Sequence, residues 1–197
     1  MEIKHFLDEL ASSSPTPGGG SVSALAGALA ASLVGMVAGL SQKRRGMKRV
    51  RNRTRILQKR LFRAVEEDAK GYQGVLKAFR LPKNAEKERL RRSRAIQRAF
   101  VKATVTPQLV TRLSLELMEL CLIAVREGNA NAVSDAAVGA YLSDTAVKGG
   151  LMNIRINLGP VKDKAFVRKM QALIRAAEKK RKQRMGRIEK AVCQIGS

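Results

Sequence analysis

Apolar residues along this chain recur at steps of three and four, and no stretch shows the apolar-polar alternation of a half-buried strand. Ile3, Phe6, Leu7 and Leu10 give a short amphipathic helix that ends at a serine run. Leu57, Leu61, Val65, Tyr72, Val75 and Phe79 mark one side of a long helix that begins in the basic stretch Lys43 to Arg63 and stops at Leu81 and Pro82. Asn84 is the expected cap of a helix from about Ala85 to Val105, after which Thr106 and Pro107 either open a new helix or kink a continuous one. Leu109, Leu113, Leu117, Leu120 and Ala124 carry the apolar face on to Gly128. Ser134 and Asp135 open a small-residue helix through Gly139, Leu142, Ala146 and Gly149, continued by MNIRINL up to Gly159 and Pro160. The last helix, about Asp163 to Val192, puts Phe166, Met170, Leu173, Ala177, Met185, Ile188 and Val192 on one side. The pattern predicts an all-α fold, an antiparallel bundle of long helices in a single domain, 1–197.

The segment from Ser12 to Leu40 departs most from ordinary sequence. Pro15 and Pro17 stiffen its entry, Gly18, Gly19 and Gly20 permit close backbone approach, and Ser21 is placed to cap a helix whose first amides then face the glycine turn. That arrangement suits an anion, or it is simply a tight turn that lets two helices pack. It is not a phosphate-binding Walker loop, because no Gly-Lys-Ser/Thr follows. In the helix itself Ser23, Gly27, Ala31, Gly35 and Gly39 recur every fourth residue, a smooth ridge against which another backbone can lie. Val22 to Leu40 is long enough to cross a bilayer, but its alanines and glycines give a weak apolar drive. The expectation is a fully buried central helix with no membrane span.

Two polar interruptions stand out. Asp68 occupies a place on the apolar face of its helix where Leu or Val belongs, and a carboxylate there is costly unless it is paired or put to use. Gly71 and Gly74 follow it in the helix interior and let another group come close. Asn153 and Asn157 lie one turn apart on a face lined by Gly and Ala, where their amides either hydrogen-bond a flat polar heterocycle or merely end a helix.

Composition adds an aliphatic, Trp-free core and a formal net charge of +23, from 39 Lys and Arg against 16 Asp and Glu. Such an excess favours a polyanionic partner: nucleic acid, an anionic membrane, or a small substrate with several carboxylates or phosphates. The basic runs are Lys43 to Arg63, Arg89 to Arg98 and Lys179 to Arg184; they are either solvated faces or a nucleic-acid footprint, though no aromatics interleave with them. Cys121 and Cys193 lie far apart without a CxxC, which suits thiols in a reducing, cytoplasmic setting. One histidine and two distant cysteines make no zinc site, and no metal is expected.

Four separated stretches, SSSPTPGGGS, DAKGYQGVLKAFRLPKN, GNANAVSDAAVGA and NIRINL, together resemble the cyclodeaminase family, which includes the C-terminal half of formiminotransferase-cyclodeaminase and methenyltetrahydrofolate cyclohydrolases. The likeness runs over nearly the whole chain. It implies an all-α homodimer acting on a one-carbon-substituted tetrahydrofolate, free or polyglutamylated, with Asp68 at the position proposed for catalysis. It further implies folate contacts at Pro17, Gly18, Gly19, Gly20, Ser21, Ser134, Asp135, Asn153 and Asn157. Two departures matter: Lys70 and Gly71 stand where the family carries an acidic residue and Ala, and the surface has far less Glu than the family does.

The implied reaction is ring closure of 5-formimino-tetrahydrofolate with loss of ammonia. Ammonia departs only when protonated, and a carboxylic acid whose pKa is raised by burial meets that need. Cyclohydrolysis, in which water attacks the methenyl bridge, uses the same carbon and overlapping groups. The other reading of the charge is a basic helical module that binds nucleic acid.

Overall fold

The computed structural model describes residues 2–194, which form α1 (Ile3–Ala11), α2 (Gly19–Leu40), α3 (Met47–Phe79), α4 (Glu86–Ala103), α5 (Val105–Glu127), α6 (Val133–Leu158) and α7 (Lys164–Cys193). A single 3-10 turn, Ala130–Ala132, separates α5 from α6, and no strand occurs among the described residues. The helix α2 is central: α3, α5 and α6 all pack on it.

The small-residue ridge explains that arrangement. A Cβ at Gly27 would meet the Ser114 hydroxyl at 3.0 Å and Leu61 at 3.1 Å, one at Gly35 would meet Thr54 at 3.0 Å, and Gly39 lies under the Arg51 guanidinium. The partners on α3 fall from Leu61 through Thr54 to Arg51 as α2 advances, so the two helices run antiparallel with backbones in close approach. A second row, Gly139 against Val34 and Ala30 and Gly149 against Ser23, sets α6 antiparallel to the same helix. On α5, Thr111 faces Gly150 and Ser114 faces Gly27. Packing contacts through bare Cα atoms replace the large side chains that this sequence lacks, and enlarging one of them costs about 1–3 kcal/mol by overpacking.

Several local expectations need correction. Ser21 does not cap α2: Gly18 does so in an extended conformation, and Ser21 sits inside the first turn with its hydroxyl turned to α3. Asn84 is not the cap of α4 either; Ala85 is, because the Glu88 carboxylate reaches back to accept from the Asn84 and Ala85 amides. Thr104 alone separates α4 from α5, so Pro107 lies in a first turn whose amides have no helical partner to lose. On α3, Leu57, Leu61, Val65 and Val75 are buried, whereas Tyr72 and Phe79 are turned outward, Phe79 meeting Phe100 edge-on under the Arg92 guanidinium. The helix α2 is not wholly buried: Leu29, Met36 and Leu40 form an outward stripe. On α7, Ile174 is buried and Leu173 only half so.

The basic run on α7 is not a uniformly solvated face. Arg181 forms a 2.6 Å ion pair with the buried Asp144 of α6, whose other oxygen meets Lys148 at 2.7 Å. Arg184 pairs with Glu119 at 2.6 Å and donates to the Leu115 carbonyl, so two arginines clamp α7 onto α6 and α5. Asp144 escaped sequence reading because it sits in a helix of small residues where no apolar period exposes it as an interruption.

Candidate functional site

The α2 amino terminus, the middle of α3, the C-terminal half of α6 and the α4–α5 junction meet in one region. Asp68 projects from α3 toward α2 and is half-buried. Gly20 backs directly onto it: a Cβ there would overlap the carboxylate carbon and both its oxygens. Only glycine allows this approach. The Ser21 hydroxyl lies 3.3 Å from Asp68 Oδ2 and 3.1 Å from the Val65 carbonyl. The glycine turn was open to two readings, an anion site or a tight turn for helix packing, and in the structure its Gly20 and Ser21 pack against Asp68 of α3.

Burial raises the Asp68 pKa above the ordinary carboxylate value, and hydrogen bonds from the Ser21 hydroxyl and main chain pull it back only in part. A hydroxyl has one hydrogen to give. Both the Val65 carbonyl and Asp68 Oδ2 are within its reach, so the Ser21 hydrogen can go to either acceptor.

On the opposite side of this region, Gly149 lies against Ser23 of α2, and the Asn153 side-chain amide donates to the Gly149 carbonyl at 2.9 Å. The Asn157 amide donates to the Ala103 carbonyl at 3.0 Å, fastening α6 to the end of α4, and Gly71 of α3 faces that same Ala103, its Cβ position 3.9 Å from the Ala103 Cα. Both asparagines thus spend an amide hydrogen on structure and keep their carbonyl oxygens. The start of α2 and α6 are linked through Ser23 and Gly149, the residue whose carbonyl Asn153 binds, while Asn157 is tied to Ala103.

Other predicted residues stand elsewhere. Pro17 follows a cis peptide bond at the entry to α2 and is half-buried; Gly18 and Gly19 complete the turn, with nothing close to Gly19. Ser134 and Asp135 open α6, nearly the whole helix away from Asn153, roughly 27 Å at 1.5 Å per residue. Within one chain they do not join Asp68. Lys70 does not act on Asp68: its ammonium is exposed, 3.5 Å from Glu66, and the causes that shift Asp68 are burial and Ser21. Gly71 is not sterically required, since a Cβ there makes ordinary contact.

Two grooves border the region. One of about 500 Å³ runs between α3 and the α4–α5 junction along Gly71 and Gly74. A larger one, about 700 Å³, lies between α5 and α7, but its carboxylates Glu116 and Glu119 are held by Arg53, Arg184 and Arg187. Arg53 holds Glu116 below the usual carboxylate range, so Glu116 offers that groove no proton donor. Among the described residues no group of three or more His, Cys, Asp and Glu side chains is arranged to hold a metal ion. Burial pushes the Cys121 thiol up to about 12, and it remains an unreactive core residue.

An all-α fold wrapped on a glycine-ridged helix, with a half-buried carboxylate at that helix's amino terminus, defines a class that the comparisons with known proteins then specify. Residues 2–176 match the family model for formiminotransferase-cyclodeaminase, and the chain belongs to that family. It is 34% identical over 171 residues to the methenyltetrahydrofolate cyclohydrolase of Methylorubrum extorquens, covering 83% of this chain and 82% of that protein. It is 32% identical over 174 residues to the mouse formimidoyltransferase-cyclodeaminase, covering 85% of this chain but 32% of that longer protein. The crystal structure of formiminotetrahydrofolate cyclodeaminase from Thermotoga maritima superposes with a TM-score of 0.88 at 26% identity, over 100% of this chain and 98% of that one.

Proposed function

We propose that this chain converts 5-formimino-tetrahydrofolate to 5,10-methenyl-tetrahydrofolate with release of ammonia, with Asp68 as the proton donor to the departing nitrogen. The observation that carries the reading is Asp68 itself: a carboxyl group raised by burial, backed by Gly20 and held by Ser21, in a chain of this family. The attacking anilino nitrogen closes the five-membered ring at the formimino carbon and gives up its own hydrogen; that hydrogen and a proton from Asp68 reach the formimino NH, whose bond to carbon breaks to release ammonia and leave the methenyl cation. The carbonyl oxygens of Asn153 and Asn157 face the pterin side as hydrogen-bond acceptors. Its working setting is the cytoplasm, with tetrahydrofolate, mono- or polyglutamylated, as substrate and no metal required.

A second reading has its own support. One relative matched over most of its own length, that of Methylorubrum extorquens, is a cyclohydrolase, although the Thermotoga maritima cyclodeaminase is matched over 98% of its chain and the mouse bifunctional enzyme over about a third. In that reading water attacks the methenyl carbon to give 10-formyl-tetrahydrofolate, and Asp68 takes a proton from the water instead of giving one. Supplying purified protein with each folate in turn, while following methenyl absorbance and ammonia, separates the two. Ammonia-linked appearance of the methenyl band is the expected result. Loss of the band from methenyl-tetrahydrofolate faster than in buffer alone establishes the hydrolase.

The protein acts as a homodimer through the outward stripe of α2 and its neighbour α6. Leu29, Met36, Leu40, Val138 and Tyr141 are 44–60% exposed on a face where α2 carries no charged residue, and on a chain of charge +23 such a face is where two copies meet with least repulsion. Sedimentation equilibrium is expected to give twice the chain mass, and Leu29→Arg with Met36→Arg to give a helical monomer. A wild-type monomer at micromolar concentration would overturn the dimer.

A further inference from the structure

The outer face of α7 carries cations that neither the packing nor the proposed reaction uses. At about 3.6 residues per turn, Lys164, Arg168, Arg175, Lys179, Lys182 and Lys190 fall within an arc of roughly 80°. That arc lies opposite the side on which Met170, Ile174, Ala177 and Ile188 are buried. All six cations are exposed, and none has an ion-pair partner among the described residues. The pairs that α7 does make, Glu178 with Arg155, Arg181 with Asp144, and Arg184 and Arg187 with Glu119, lie on its flanks and inner side. Between Arg168 and Lys190 only Ala172 and Gly186 share the arc with the cations, and Glu189 stands at its margin. A Cβ at Gly186 would meet nothing, so packing does not require that glycine, although it costs the helix about 1 kcal/mol relative to Ala. It leaves the backbone bare midway between Lys182 and Lys190. The reaction does not account for the row either: α7 packs on α5 and α6, whereas Asp68 stands between α2 and α3. Lys179, Lys182, Gly186 and Lys190 also lie past residue 176, where the match to the family model ends.

From Lys164 to Lys190 the row runs roughly 39 Å at 1.5 Å per residue, close to one turn of duplex, roughly 34–36 Å. We propose that the outer face of α7 binds duplex DNA through its phosphates, with the helix against the major groove and the cations reaching the backbone on either side. Ala172 and Gly186 let the helix come close. A helix with its side chains is about 10–12 Å across and fits the B-form major groove, about 12 Å wide, whereas the A-form groove of duplex RNA is too narrow for it. Single strands are held on aromatic platforms, and the one aromatic residue of α7, Phe166, is half-buried. An anionic membrane takes up apolar side chains beside the basic ones, but no large apolar side chain is exposed on α7 among the described residues. A second copy of the chain would bring like charges together. Lysine and arginine contacts to phosphate fix position without reading sequence, so the binding is indifferent to base composition.

The test is the fluorescence anisotropy of a labelled DNA duplex of about 20 base pairs titrated with the full chain. Six phosphate contacts give an expected slope of about −5 in log K against log salt. Replacing Arg175→Gln, Lys179→Gln and Lys182→Gln together keeps good helix formers on an exposed face. That triple variant is expected to flatten the slope by about 3 and to weaken binding at least about 30-fold at about 50 mM salt, with folate turnover unchanged. Glu189→Lys is expected to tighten binding and steepen the slope by about 1. Removing as many charges from α3, with Arg55→Gln, Lys59→Gln and Arg63→Gln, is expected to cost less than about 3-fold, since charges beyond a Debye length are screened. Equal loss from the two triple variants reduces the binding to diffuse net charge and overturns the proposal. So does equal or tighter binding of the single strand, of an RNA duplex of the same sequence, or of vesicles containing phosphatidylserine. Binding is read without folate, so a chain that processes neither folate but binds duplex and loses it in the α7 variant upholds the DNA face while the reaction falls.

Discussion

Asp68→Asn is expected to lower turnover by about 10²–10⁴-fold, the usual worth of a positioned proton donor, while leaving the protein at least as stable at pH 7. The two halves of that result have one cause. Burial raises the Asp68 pKa, so the folded chain holds this proton to a higher pH than the unfolded chain, whose carboxyl titrates near about 3.9. Folding with Asp68 ionised is therefore penalised at neutral pH, and the penalty disappears as pH falls through the raised folded value toward the ordinary one. Asparagine carries no charge at any of these pH values and still offers Ser21 an acceptor. Thermal melts are expected to place the variant level with or above wild type at pH 7, the gap closing toward pH 4. The pH profile of kcat/KM then assigns the direction of proton transfer. As an acid, Asp68 gives a limb that falls as pH rises through its raised pKa; as a base for water, it gives one that falls as pH drops through the same value. A variant that turns over either folate at the wild-type rate leaves Asp68 as nothing more than a carboxylate packed against the first turn of α2.

How much of this was legible beforehand differs from element to element. The period of three and four placed α3, α5 and α7, and the ridge on α2 foretold its central place, because small residues at every fourth position have no use on a solvated face. Asp68 was visible for the opposite reason: one polar residue in an apolar stripe is an anomaly that periodicity exposes. The amino-terminal caps of α2 and α4 were not legible, since Gly18 and Ala85 displaced Ser21 and Asn84 through contacts made elsewhere, Ser21 with α3 and Glu88 with the chain before it, whereas Gly128 closes α5 as read. Nor could sequence tell that Ser134 and Asp135 stand a helix length from Asn153, which only the course of α6 decides. The tie between Gly20 and Asp68 joins residues far apart in the chain and belongs to the packed state alone.

That tie supports the second large expectation: Gly20→Ala costs about 1–3 kcal/mol of stability, the range for overpacking a filled site, and removes activity with it. The added methyl falls on the carboxylate itself, so either Asp68 turns away from Ser21 or α2 lifts from α3. Both responses move the carboxyl group proposed as proton donor, and a displacement of that size is enough to defeat a reaction that depends on its placement. Gly19→Ala, one residue earlier, meets nothing within 4 Å and is expected to leave the melting temperature unchanged. The cause is isolated by removing the other half of the clash. In an Asp68→Gly background the added methyl has room, so Gly20→Ala there is expected to cost little, and the double variant to be more stable than Gly20→Ala alone although inactive. A double-mutant cycle over these four proteins reads the contact as a coupling energy. If Gly20→Ala destabilises both backgrounds equally, the glycine serves the entry of α2 and not the carboxylate behind it.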